Sequence, residues 1–272
     1  NMTTTVKTTA MMTLVVLLRQ IDISIGSQFS ICGIVAGLAS QAGWSMPVVC
    51  ACACLSGAAL GAINGGLIAG LRLPSIVVTL ATMVTFRETL RWSREGQFVN
   101  QVSDGFQWFG CSQLVGQILI VGLSVALLLL FGWGLSQVAA GRMVYATGSD
   151  LEAARLAGMR PQRVTFVVFV LMGLLTGLAA LLNAVRFPQV DPNAGLGLEL
   201  QVIAAVVVGG TAVNGGRGTV WGTLVGVLLL ATIGPALVFL GAAAHWEKAL
   251  QGAIILTAVA SDAFSGQRRL PR

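Results

Sequence analysis

The chain has 272 residues, 56% of them hydrophobic and only 10% charged, with a formal net charge of +6 and 34 glycines against one tyrosine. A soluble domain carries about 25% charged residues, and the mean hydropathy here is +0.85, so composition excludes a soluble globular protein and implies an integral membrane protein. The basic residues gather in short loops and at the C-terminus, with no stripe of interleaved aromatics, which argues against a nucleic-acid partner and matches the positive-inside pattern of membrane chains.

Taken in order, nine stretches read as spans: Met2–Leu18, Ser24–Ala39, Pro47–Gly70, Ser75–Trp92, Leu114–Ser136, Val164–Val185, Glu199–Val213, Gly218–Leu240 and Glu247–Phe264. Crossing the hydrocarbon takes about 20 residues. Ser24–Ala39 and Glu199–Val213 fall short, and are expected to be broken or partly re-entrant, which is tolerated where backbone is buried in protein. The expected fold is therefore an all-α polytopic helical bundle, one transmembrane domain over residues 1–272. No basic n-region and cleavage site precede the first apolar run, so no secretory signal is read there.

Orientation follows from the arginines. The segment Arg142–Arg163 and the tail with Arg268, Arg269 and Arg272 belong in the cytoplasm, and Arg19 and Arg72 then fall on the same side. Arg87, Arg91 and Arg94 fall outside against the rule, partly neutralised by Glu88 and Glu95. Asn1 also falls outside, and one further span before it would restore the usual parity. The expectation is ten spans in the intact protein, nine of them here.

Small residues four apart recur at Gly57/Gly61, Gly61/Gly65, Gly66/Gly70, Gly173/Gly177, Gly218/Gly222 and Gly222/Gly226. Such pairs let helix backbones approach where lipid supplies no hydrophobic drive between helices. They argue for a tight bundle and name no function, because glycine is common in membrane helices.

Little in the sequence is suited to catalysis. The one histidine, His245, sits beside Trp246 at an expected outer loop and reads as an interfacial residue. There is no G-x-x-x-x-G-K-[ST] loop to cradle ATP phosphates. In the CACAC run, Cys50 and Cys54 share a helix face while Cys52 points away, with no histidine or carboxylate near, so small packing residues are the reading and a metal is not. Between the first two spans, Asp22 and Ser24 are placed to cap the second, and Arg19 to pair with Asp22; a part for these residues in a translocation path is the other reading. Arg186, Asp191 and Glu199 surround an expected outer loop, which reads equally as a polar mouth that meets a solute and as a solvated turn.

One polar stretch, GSDLEAARLAGMRPQRV, stands between lipid-like runs. Ser149 and Glu152 have capping-box spacing, Gly158 suits a left-handed closing residue, and Pro161 stops the helix. Leu151, Ala154 and Gly158 share a face fit to dock in a groove, with Arg155, Arg160 and Arg163 to orient it. That face is narrow and made of small residues, which favours a protein partner over a lipid surface.

These blocks resemble the permease subunit of a bacterial ABC importer, in the group that serves ribose, rhamnose, autoinducer-2 and related solutes. YATGSDLEAARLAGM resembles its cytoplasmic coupling helix, about residues 148–160, with Glu152, Ala153, Ala154 and Gly158 matching and Asp150 standing where Asn is usual. IDISIGS resembles the group's I-D-L-S-V-G-S, with Arg19–Gln20 in place of the common Gly-Gly. LPSIVVTLATM, GLGLELQVIAAVVVGGTAVNGGRGT and GAIILTAVASD resemble further blocks.

The resemblance implies an inner-membrane subunit with no catalysis of its own. Its partners are an ATP-binding subunit that holds the ATP and magnesium, a second permease (identical or paralogous) and a periplasmic solute-binding protein, with lipid around them. Ser149, Asp150, Glu152, Ala153, Ala154, Arg155 and Gly158 are the expected coupling residues, and Asp22, Ser24 and Glu199 the expected pathway residues. Few charges line the spans, which suits a small neutral carbohydrate, rhamnose- or pentose-like; autoinducer-2 is the alternative. An ion-coupled secondary transporter, a channel and a membrane enzyme are the rivals. The first would need Asp, Glu or His at mid-span, the second a filter ring, the third a nucleophile or metal cluster.

Overall fold

The computed structural model describes residues 2–100, 102, 105–241, 246, 248–254 and 256–257. Ten α-helices succeed one another: α1 (Met2–Leu17), α2 (Ile25–Gln41), α3 (Met46–Gly65), α4 (Ser75–Arg94), α5 (Gln113–Gln137), α6 (Ala139–Ser149), α7 (Leu151–Leu156), α8 (Pro161–Ala184), α9 (Leu198–Val208) and α10 (Val220–Phe239). A π-helical turn, Gly66–Gly70, extends α3. Among the described residues there is no strand, only an isolated antiparallel bridge between Val99 and Val190. Half of the last expected span, Glu247–Phe264, lies outside the described residues, as do His245 and the tail arginines.

Among the described residues four helices are long and apolar enough to cross a bilayer: α3 with its π turn, α5, α8 and α10. The apolar part of α1, Thr8–Leu17, and α9 are shorter. At 1.5 Å per residue α9 reaches about 17 Å, roughly half of the hydrocarbon thickness.

Helix α8 is the central rod: 61% of its apolar window is buried, against 22% in each of the other three. It crosses α3 where glycines replace side chains. A Cβ at Gly57 would collide with the Gly173 carbonyl, one at Gly173 with the Gly57 carbonyl, and one at Gly177 with the Ala53 carbonyl. Only glycine permits backbone-to-backbone contact at this crossing. Helices α9 and α10 meet the same way, Gly222 against Gly209 and Gly226 against Ala205. Of the six glycine pairs, Gly66/Gly70 alone faces open space, on the π turn.

Helix α1 threads the middle, packed against α5, α6, α8, α9 and α10. Its face from Ala10 to Leu18 is buried throughout, and Thr13 shares a 2.8 Å hydroxyl contact with Thr223 of α10. The outward faces of α5 and α10 expose Leu114, Ile118, Leu130, Trp221, Val225 and Val238; in a chain of this composition such faces meet lipid.

Candidate functional site: a docking helix tied to a broken one

Helix α7 stands off the bundle between α6 and the start of α8. Its cap is Asp150, whose Oδ1 accepts from Glu152 N at 2.9 Å and Ala153 N at 3.0 Å. This corrects the reading of Ser149 as the cap: Ser149 is the last residue of α6, and the extended backbone at Asp150 aims the carboxylate at the second and third amides. Gly158 does take the left-handed form, with φ of 79°. Pro161 opens α8, where its missing N–H costs nothing.

The exposed surface of α7 differs from the expected stripe. Ala154 is 3% exposed and turned to the chain's own body, whereas Leu151, Glu152, Ala153, Arg155 and Gly158 are exposed and Leu156 is 89% exposed. Leu156 was missed because it lies off the i, i+3, i+7 line, although a leucine beside an arginine on a capped polar helix is itself a signal.

Arg19 does not pair with Asp22. Its Nε donates to the Gly148 carbonyl at 2.6 Å, and its Nη2 to the Ser149 carbonyl. A guanidinium across the last carbonyls of α6 satisfies acceptors that the helix leaves open and complements the negative helix end. Arg19 holds φ of 60°, a left-handed conformation that favours glycine. Around it three segments converge. The Gly216 N–H donates to the Leu17 carbonyl at 2.9 Å, and a Cβ on Gly148 would collide with that carbonyl. Tyr145 on α6 closes the junction with a 2.7 Å bond from its hydroxyl to the Gly218 carbonyl. The end of α1, the end of α6 and the 211–218 loop thus form one knot directly beneath α7. Next to it lies a 480 Å³ cavity lined by Arg19, Arg72, Arg155 and Gln162.

Three residues beyond Arg19, Asp22 and Ser24 are fully buried. Asp22 Oδ1 accepts from Ser24 N at 2.9 Å and Ser24 Oγ at 2.6 Å, and Asp22 Oδ2 from Gln28 Nε2 at 3.1 Å. Asn64 on α3 donates to Ser24 Oγ at 2.7 Å. Ser24 precedes α2 without a side-chain cap of its own. The network ties the break to both α2 and α3, and neither Asp22 nor Ser24 lines a cavity described here.

Glu199, in the first turn of α9, lies 3.9 Å from Arg87 of α4. Arg91 pairs with Glu88 at 3.0 Å. Two cavities flank the 187–196 loop at the end of the bundle away from α7: one of 340 Å³ bordered by Arg87, Arg91 and Glu95, the other of 380 Å³ bordered by Phe29, Asn183 and Phe187. Asp191 spends Oδ1 on the Asn193 N–H at 2.8 Å, and the Arg186 guanidinium is 6.0 Å from the Phe187 ring centroid. Asp191 lines the second of these cavities and Glu199 neither, so the structure does not gather Arg186, Asp191 and Glu199 into one mouth. Among the described residues no cluster of His, Cys, Asp and Glu could hold a metal.

The model of the branched-chain amino acid transport system permease component matches residues 3–259. The chain belongs to that family. Curated relatives agree: the permease is 34% identical to the autoinducer 2 import system permease protein of Salmonella typhimurium strain LT2, over 92% of this chain and 72% of that one. It is 34% identical to the one from Escherichia coli O157:H7 (92% and 73%) and 33% identical to the one from Photorhabdus luminescens (92% and 76%). No solved structure matches it. The chain is a multi-pass membrane permease subunit of an ABC importer, a transporter component rather than a catalytic one. An importer permease implies an ATP-binding subunit and a solute-binding protein as partners in general.

Proposed function

We propose that this permease carries a small neutral carbohydrate, rhamnose- or pentose-like, from periplasm to cytoplasm by alternating access, with α7 docked in a groove of the ATP-binding subunit. The observation that carries the docking is α7 itself, capped, outside the bundle, and presenting Leu156 almost wholly bare beside Glu152 and Arg155. The bare leucine stands on a short helix between charged residues, an apolar face too narrow to hold a lipid surface and of a size that a groove on a protein partner can take. ATP and its magnesium sit on the partner; closure of two ATP-binding subunits pulls α7, and the Arg19 knot carries that pull to the break before α2. Nine spans in this chain, residues 1–272 as one permease domain, a second permease beside it and a bacterial inner-membrane location complete the reading. Asp22 and Ser24 hold the break that must flex, and Glu199 stands near the outer entrance.

Autoinducer 2 is the second reading for the solute, favoured by the name shared by the relatives above. Expression with the candidate ATP-binding subunit tests the docking. Wild type is expected to co-purify with that subunit, and Glu152→Lys to lose it by about tenfold or more, equivalent to about 1.4 kcal/mol of interface energy. Retention of the subunit by Glu152→Lys together with Leu156→Asp would remove α7 from the interface. Uptake in proteoliposomes from a panel of sugars and autoinducer 2 decides between the solutes.

A further inference from the structure

The 380 Å³ cavity lies between α2, the last turn of α8 and the 187–194 loop. At 24 residues, α8 spans about 36 Å, so a cavity at its Ala184 end sits across the bundle from α7. Phe29, Phe98 and Phe187 supply three aromatic walls, and Ser30, Asn183, Gln189 and Asp191 the polar groups, Ser30 Oγ already accepting from the Gly195 N–H at 3.1 Å. Phe29 is buried, while Phe98 and Phe187 are 46% and 42% exposed and stand at the rim. The rim is held in place by the paired backbone bonds between Val99 and Val190, each 3.0 Å.

Asn183 is the decisive group. It is only 8% exposed, it lines the cavity, and its Oδ1 accepts no hydrogen bond. A buried acceptor without a partner is rare and destabilising unless something else supplies the donor. Aromatic surfaces that take the C–H faces of a ring, with planar amides and a carboxylate that take its hydroxyls, match a cyclic polyol. Asp191 is the one ionised side chain in the lining, which disfavours an anionic solute. An acyl chain would leave the Asn183 carbonyl without a donor. The neighbouring 340 Å³ cavity, bordered by Arg87, Arg91 and Glu95, has the opposite character.

We infer that this cavity is a low-affinity receiving site for a neutral monosaccharide-sized polyol, with the Asn183 amide turning so that its closed-off Oδ1 accepts from a ring hydroxyl and Phe98 and Phe187 cover its apolar face. The inference rests on the importer reading above and adds a place within a single permease where the released solute pauses.

Saturation-transfer NMR on the permease–ATP-binding subunit complex in nanodiscs, without a binding protein and with L-rhamnose and D-ribose as millimolar probes, tests it. Wild type is expected to transfer magnetisation to ring C–H protons of at least one sugar, and Asn183→Leu and Phe187→Ala to reduce that transfer about tenfold, the loss of one directed hydrogen bond or one wall. Phe187 is half exposed, so its truncation leaves the bundle intact. Absence of transfer in wild type, or equal transfer in both variants, overturns the site. Uptake by proteoliposomes supplied with the binding protein separates the two failures. Sugar uptake without transfer rejects the cavity and leaves the importer reading standing, whereas a chain that takes up no sugar of the panel loses the carbohydrate reading itself.

Discussion

At the scale of single residues, Arg19 shows how a long-range contact stays hidden in a sequence. Its partners Gly148 and Ser149 lie 129 and 130 positions away, and nothing local distinguishes a guanidinium that caps a distant helix from one that pairs with Asp22 three residues on. Asp150 was legible in principle. It directly precedes the helix, and an Asp there caps as well as a Ser. The S-x-x-E spacing drew attention one residue too early. Asn183 was not legible, because an orphaned amide exists only relative to walls that the fold brings together. Arg19→Met should leave the complex assembled and hydrolysing ATP while weakening the link between α7 and the break. With coupling reduced by about 1 kcal/mol, solute moved per ATP falls roughly fivefold, and Arg19→Lys recovers part of it. Parallel measurement of ATPase rate and uptake checks this; an unchanged ratio in Arg19→Met would remove Arg19 from the transmission.

Among the elements, the helices with a strong apolar run were read to within a few residues: Pro47–Gly70 against α3 and its turn, Val164–Val185 against α8, Gly218–Leu240 against α10. Helix α6 was not foreseen as an element of its own, since Ala139–Ser149 mixes Arg142, several small residues and a few apolar ones without a clear run. The glycine spacing was informative because a backbone crossing needs bare positions at fixed intervals. It could not say which pairs meet, and Gly66/Gly70 does not meet anything. Gly173→Val is therefore expected to abolish the folded monomer, since no adjustable side chain stands at its Cβ, only the backbone of Gly57 and Gly61. Gly66→Ala, with open space around it, should elute normally. Fluorescence-detected size exclusion of the two variants reads the difference, and a monodisperse Gly173→Val would show that the crossing is looser than described.

For the whole molecule, the arrangement of α7, α8 and the outer cavity assigns a side to each end. If α7 is cytoplasmic, Ser149 and Arg163 lie inside and Glu95 and Asn193 outside. Single cysteines at those four positions, in a background lacking Cys32, Cys50, Cys52, Cys54 and the exposed Cys111, should react with an impermeant maleimide on intact spheroplasts only at 95 and 193. Labelling at 149 would invert the protein in the membrane. The orientation in the membrane is not readable from the glycine pattern or the apolar runs, which look alike from either side. It rests on where the arginines and the capped helix fall.

The crossing of α3 with α8 has a mechanical consequence. Two helices in backbone contact have no compressible layer of side chains between them, so they neither slide nor splay by small amounts. Helix α8 begins three residues after Gly158 and ends one residue after Asn183. On the proposed docking of α7, a pull on that helix would reach the far rim through α8 as through a stiff lever, and the 187–196 loop would take up the strain.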